Sequence, residues 1–372
     1  MGRAGSRGTR LGWAGLVATC LITTGCSAGS SSEEPDTAPE GLRSTAAAAA
    51  GDSDRLLEKA VADDGPGCSA AVAVRGDVVW SAQRGLADVD AGRRITEETQ
   101  FDIASVSKQF TATAVLLLAE EGSLGLGDTL ATHVTGLPAW AEDVTLEQLL
   151  HHTAGVPDYT PLLMDGGLAI TEPSSQEDAL DAIAAVPSLE AQGTFRYSNS
   201  HYVLLAEVVR AAAGVDLPTF LHERVFVPLG LAMGMEPGAR SATIATPYAQ
   251  DGTRWRATPS GWTQLGDGSV YGTPSDLARW GDQYRTGEVG GPTWLDAVTE
   301  GAVPTGGPTG ARYGAGIEVA PDGALSHLGG WSGYVSVFGV SADRDTTIAL
   351  SCNTSDLPIE DLAAGLLETW VG

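Results

Sequence analysis

The sequence predicts an α/β chain of the α+β type, with one antiparallel sheet built from both chain ends, flanked by helices and interrupted by an inserted helical subdomain. Strand-like runs cluster early, at Ala70–Val74 and Val78–Ala82, and late, at Gly316–Ala320, Val335–Val340 and Thr346–Ser351. The middle, from about Thr111 to Pro247, reads mostly as helix. The first fifty residues hold no pattern from which a core could be built.

Taken in order, the chain opens with Arg3, Arg7 and Arg10 before an apolar stretch from Leu11 to Ile22. That stretch is too short to span a bilayer and reads as a secretory signal over residues 1–25. The small residues before Cys26 resemble a bacterial lipobox, with Thr23 where an aliphatic residue is usual, so Cys26 is the expected lipidation site. Residues 26–51 are rich in Ser, Glu, Pro, Ala and Gly and are expected to form a flexible tether. A lipid at Cys26 would place the protein on the outer face of a bacterial membrane. Cleavage without lipidation would release it.

The globular domain is expected over residues 52–372. Asp52–Asp64 carries the apolar stripe Leu56, Leu57, Ala60 and Val61, and the Gly76-Asp77 pair between the first two strands signals a hairpin. Helical spacing recurs at Thr145–His152, Glu177–Ala185, Ser200–Ala213, Pro218–Val227 and Thr273–Tyr284, with Gly214 as a left-handed cap and a last helix over Ile359–Val371. Once Cys20 leaves with the signal and Cys26 is set aside, Cys68 and Cys352 remain, at the ends of strand-like runs. They are predicted to form a disulfide joining the first and last strands, as suits an exported protein. Two buried thiols are the alternative.

The formal net charge is -26, which repels nucleic acid and anionic lipid and excludes both as partners of the folded domain. Membrane contact is expected only through the N-terminal lipid. A monomer acting on a small-molecule or peptide substrate is expected, with no cofactor and no metal. His151 and His152 are adjacent and point to different helix faces, and His222-Glu223 lacks the second histidine of a zinc site.

Only two of the 21 basic residues are lysines. One, Lys108, follows Ser105 by three residues at the start of the apolar segment Thr111–Glu121. If Ser105 opens that helix, its hydroxyl gains an amine one turn on and a positive helix end beneath it. Lysine can take up a proton near neutrality and arginine cannot, so the pair has the outline of an activated nucleophile. Tyr197, two residues before Asn199, offers a phenol able to act as a base and an amide able to hold a carbonyl. His327, Gly329 and Gly330 precede a strand-like run, where glycines let a substrate approach the backbone closely.

Ser105-x-x-Lys108, Tyr197-x-Asn199 and His327-x-Gly329, in that order, resemble the serine β-lactamase and penicillin-recognising hydrolase superfamily. The nearest branches are class C β-lactamases, D-stereospecific DD-peptidases and related esterases; Leu149-Leu-His-His-Thr-Ala-Gly155 is typical of them. The resemblance runs from about Asp52 to the C-terminus and implies a β-lactamase-like fold with the site between sheet and helical subdomain. It implies that Ser105 is the acyl-forming nucleophile, Lys108 its base and Tyr197 the proton shuttle. Asn199 would hold a substrate carbonyl, His327 would line the pocket opposite Lys108, and the Ser105 and Gly330 N–H groups would form the oxyanion hole. Two positions depart from the pattern. A histidine at 327 would grip a carboxylate in a pH-dependent way, and Leu328 stands where a carboxylate-binding Thr is common. These departures favour an ester or amide hydrolase first, a D-amino-acid peptidase or carboxypeptidase second and a β-lactamase third. A catalytically silent cell-wall binding lipoprotein is the rival from another class.

Overall fold

The computed structural model describes residues 40–371, with side chains from residue 46 onward. The signal and Cys26 lie outside the described residues. The main sheet has eight strands: β1 (Cys68–Val74), β2 (Asp77–Arg84), β3 (Val303–Pro304), β4 (Arg312–Tyr313), β5 (Glu318–Val319), β6 (Leu325–Trp331), β7 (Tyr334–Val340) and β8 (Thr346–Cys352). Their spatial order is β3-β4-β5-β6-β7-β8-β1-β2, and every pair is antiparallel. The first and last strands of the chain therefore lie side by side inside the sheet, one strand in from its β2 edge, where β1 pairs with β8 and Cys68 stands opposite Cys352. These two cysteines are joined by a disulfide. It closes a loop with a sequence separation of 284, and such links contribute about 2–4 kcal/mol.

Side chains alternate along β1 as the pleat requires. Ala70 and Val72 pack with Leu57, Trp80 and Leu362 on one face, whereas Ala71 and Ala73 pack with Phe110, Trp280 and Phe338 on the other. The first face is covered by α1 (Glu40–Ala60) and α5 (Ile359–Trp370), tied by the Trp370 indole donating to Ser53 Oγ at 2.8 Å. The second face holds α2 (Lys108–Glu120), which is buried nearly throughout, together with α4 (Pro274–Trp280). In the β1–β2 hairpin, Arg75 and Gly76 are both left-handed, with φ of 51° and 84°. Between α2 and α4 lies the inserted helical region, centred on α3 (Asn199–Ala213), which ends at left-handed Gly214.

Several boundaries differ from the sequence reading. The tether expected to reach residue 51 is already helical from Glu40, because the run Ala46–Ala50 is strongly helix-forming and continues into the stripe that packs on α5. Thr273–Tyr284 splits after Trp280, where Gly281 lies so close to Thr347 that a Cβ would sit 2.0 Å from its hydroxyl oxygen. The segment carrying His327, Gly329 and Gly330, expected just before a strand, is itself β6.

Candidate active site

Ser105 lies in a single 3-10 turn, Ala104–Ser107, that runs directly into α2. The turn is held in an uncommon conformation. Ala104 has φ of +50°, and its N–H donates to the Asp102 carboxyl at 2.8 Å. Asp102 comes from a two-residue strand, Phe101–Asp102, paired with Val270–Gly272. The loop before that second strand is bound to the nucleophile helix at three points. Lys108 Nζ donates to the Asp267 carbonyl at 2.7 Å, Thr111 Oγ1 to the Gly266 carbonyl at 2.7 Å, and the Val270 N–H to Ser107 Oγ at 3.1 Å.

Lys108 is fully buried, yet its ammonium has three partners: Ser105 Oγ at 3.2 Å, Asn199 Oδ1 at 2.8 Å and the Asp267 carbonyl. An ammonium has three hydrogens and here spends all of them. A neutral amine in the same place would donate to Asn199 and Asp267 and turn its lone pair to the Ser105 proton. Asn199 borders the cleft, but both arms of its amide are engaged: Oδ1 accepts from Lys108, and Nδ2 donates to Asp158 Oδ2 at 3.0 Å.

The glycines of β6 close the opposite side. A Cβ on Gly329 would stand 2.2 Å from the Ile103 carbonyl oxygen and 3.2 Å from the Ser105 nitrogen, so only glycine lets this strand lie against the nucleophile turn. Gly330 borders the cleft and has open space where a side chain would be. The cleft is further lined by Asp102, Tyr159, Trp262, Asp267 and Trp331.

Tyr197 stands beside this group with its ring 38% exposed. Lys108 Nζ lies 4.9 Å from the ring centroid, and the ring packs on His152 with centroids 4.3 Å apart. Its hydroxyl has no hydrogen-bond partner among the described residues. His327 departs from expectation. It is 5% exposed and does not border the cleft. Its Nδ1 donates to the Leu328 carbonyl at 2.6 Å, and its Nε2 accepts from the Tyr313 hydroxyl at 3.0 Å. Burial, aided by the charge of Lys108, lowers its pKa to about 3. It is therefore neutral at working pH and gives no switchable grip on a carboxylate. The reason is topological: side chains alternate along β6, so a buried His327 leaves Leu328 exposed. Ser332 uses its hydroxyl to hold the Thr258 carbonyl.

A model of the family described as Beta-lactamase matches residues 53–367. The chain belongs to the beta-lactamase family. It is 28% identical over 310 residues to penicillin-binding protein 4* of Bacillus subtilis (strain 168), covering 77% of this chain and 68% of that protein. It is 35% identical over 173 residues to a D-aminopeptidase of Cereibacter sphaeroides (strain KD131 / KCTC 12085), covering 45% of this chain and 32% of that one. Among solved structures, the penicillin-binding protein from Bacillus halodurans superposes with a TM-score of 0.75 at 22% identity, covering 86% of this chain and 99% of that one. The fold and the serine hydrolase class follow from these findings.

Two carboxyl groups in this beta-lactamase-family site escaped sequence reasoning. Asp102 is buried, and desolvation, opposed by the Ala104 N–H, pushes its pKa up to about 7. Asp267 accepts from the Tyr159 hydroxyl at 2.9 Å, and burial pushes it up to about 6 against the pull of Lys108. Neither sits in a periodic pattern. Only the placement of Asp102 three residues before Ser105, and of Asp267 between Gly266 and Gly268, could have drawn attention to them. Tyr159 also borders the cleft.

A pH dependence follows. The folded protein keeps the Asp102 proton up to about pH 7, whereas an unfolded chain releases it near the ordinary value of about 4. Between those limits unfolding releases a proton, so Asp102 makes stability fall as pH rises, by at most about 1.4 kcal/mol per pH unit. Asp267 acts in the same sense over a narrower range, and less strongly because it keeps solvent contact. Asp102→Asn keeps an acceptor for the Ala104 N–H and removes the titration. Its melting temperature should fall less than that of the wild type between pH 4.5 and 7.5. Parallel curves would contradict the assignment.

Proposed function

We propose that this protein hydrolyses small amides and esters through an acyl group carried on Ser105. The observation that carries the reading is the buried Lys108 amine nitrogen 3.2 Å from Ser105 Oγ, where in its neutral form it can take the hydroxyl proton, at the floor of an open cleft. Ser105 Oγ adds to the substrate carbonyl while its proton passes to Lys108. The bond from the acyl carbon to the leaving nitrogen or oxygen then breaks, and the leaving group takes that proton by way of the Tyr197 phenol. Water adds to the acyl carbon, returns a proton to Ser105 and releases the acid. The Ser105 and Gly330 N–H groups hold the negative charge of each tetrahedral intermediate, a role in which one lost donor typically costs about 100–1,000-fold.

A D-amino-acid amide or peptide is the second reading, favoured by the likeness to a D-aminopeptidase. Efficient β-lactam hydrolysis ranks third, because exposed Leu328 offers no hydroxyl to a carboxylate. Turnover of p-nitrophenyl butyrate, D- and L-alanine p-nitroanilide and nitrocefin, each set against Ser105→Ala, ranks the three. The ester and at least one anilide should be cleaved only by the wild type. Turnover surviving in Ser105→Ala, or none with any substrate, defeats the reading. The Cys68–Cys352 disulfide suits the exported location expected from the first residues. Metabolic lipid labelling that persists in Cys26→Ser would remove the proposed anchor.

A further inference from the structure

A second, larger cavity of about 350 Å³ opens beside the catalytic cleft. The two share the lining residues Asp102, Trp262, Ser269 and Trp331, so they adjoin across these side chains. The indole rings of Trp262 and Trp331, 5.5 Å apart, stand where the two meet. The mechanism uses none of the far wall of this cavity, and that wall carries Arg93 and Arg240.

The two arginines bring positive charge to one wall in a chain whose acidic residues outnumber basic ones by 47 to 21. Most surface arginines would be expected to find a carboxylate. Among the described residues, Arg93 and Arg240 form no ion pair, as is also true of Arg254, Arg256, Arg312 and Arg344, whereas arginines 55, 75, 84, 94, 196, 210, 224, 279 and 285 do; of the unpaired six, only Arg93 and Arg240 line this cavity. Arg93 is half-buried and spends one N–H on the Ile244 carbonyl at 2.7 Å, leaving its remaining donors unassigned. Arg240 is exposed at the cavity mouth, and its charge is felt at the phenols of Tyr271 and Tyr334. Tyr334 donates to the Ala245 carbonyl, but the Tyr271 hydroxyl, which also borders the cavity, has no partner among the described residues. Two carboxyl groups also border the cavity: Asp88, which lies opposite Arg93 in a strand pair and accepts from the Ala91 N–H at 2.9 Å, and Asp102, whose carboxyl accepts from the Ala104 N–H. Two guanidinium groups and a free phenol thus line a cavity that adjoins the cleft holding Ser105.

We infer that this cavity is a subsite for an anionic end of the substrate, a carboxylate at the far end of the acyl chain, gripped by Arg93 and Arg240. Guanidinium groups match a carboxylate in shape as well as charge, and a partly desolvated site strengthens the pairing. The chain between the ester or amide carbonyl and that carboxylate would pass the Trp262 and Trp331 rings, which supply apolar contact for methylene groups. The inference rests on the hydrolase reading and adds to it the class of acyl donor.

The test uses the p-nitrophenyl monoesters of adipic and suberic acids against the same compounds with the free carboxyl capped as its methyl ester. For the wild type at low salt, kcat/KM for at least one free acid should exceed that of its methyl ester by about 10-fold or more. In Arg240→Gln and in the Arg93→Gln/Arg240→Gln double variant, that ratio should fall toward one. Exposed Arg240 makes the single variant safe for folding. If the methyl esters turn over and the acids show no advantage, the inference fails while the hydrolase reading stands. Should none of these esters turn over, the hydrolase reading is judged by p-nitrophenyl butyrate and the anilides instead. Calorimetric titration of free adipate into Ser105→Ala then decides the subsite. Saturable binding weakened at least 10-fold by Arg240→Gln supports it, and no binding, or binding indifferent to that change, overturns it.

Discussion

Lys108→Arg should reduce the rate of Ser105 acylation by at least about 1,000-fold, even though the positive charge is retained. The buried amine touches three acceptors, one of them the nucleophile. Two of them, Asn199 and the Asp267 carbonyl, need only hydrogen-bond donors, and a guanidinium could supply these. The third contact must run in both directions, since Lys108 has to receive the Ser105 proton. A guanidinium stays protonated at every usable pH and has no site for it. The measurement is the pre-steady-state burst of p-nitrophenol from p-nitrophenyl butyrate, with circular dichroism to confirm that the variant is folded. A folded variant with a normal burst would show that another group takes the proton.

Gly329→Ala should cost about 100-fold or more in the same burst, with a lower melting temperature. The added Cβ would meet the Ile103 carbonyl at 2.2 Å, a distance that neither backbone accepts. Either β6 or the nucleophile turn must move by the better part of an ångström, and displacement on that scale is enough to cost about 100-fold in rate. The turn cannot relax freely. It is pinned by the Asp102 carboxyl on the Ala104 N–H, by Ser107 on Val270 and by Lys108 on Asp267. Gly330→Ala, where the added methyl meets open space, should leave the melting temperature unchanged. Equal melting temperatures and equal bursts for Gly329→Ala and wild type would mean that the close approach is not needed.

The parts of this site legible in the sequence are those whose chemistry is local. Ser105 and Lys108 are one helical turn apart, so spacing alone brings them together, and a scarcity of lysines marks the one that matters. Five of the eight sheet strands were legible as short apolar runs, and the disulfide through two cysteines left at strand ends, whereas β3, β4 and the glycine-bearing β6 carry no such run. What remained hidden depends on contacts far apart in the chain. His327 reads as a cleft residue from its motif, but alternation along β6 turns it inward to Tyr313 and leaves Leu328 outside. Asn199 reads as a ligand for substrate, but Lys108 and Asp158 take both arms of its amide, so it serves first to fix Lys108. Asp102 and Asp267 are isolated carboxyls in short strands and loops, and only their burial around Ser105 raises their pKa values. The helical start at Glu40 was hidden for another reason: alanine and glutamate suit a helix and a solvated linker equally well in composition, and packing on α5 decides.

All of these assignments converge on one covalent event. Incubation with a fluorophosphonate probe, followed by proteolysis and mass spectrometry of the labelled peptide, tests it most directly. The label should reside on Ser105 alone, and it should be lost or strongly reduced in Lys108→Arg. A label on any other residue, or no label under conditions that modify a known serine hydrolase, would contradict the account.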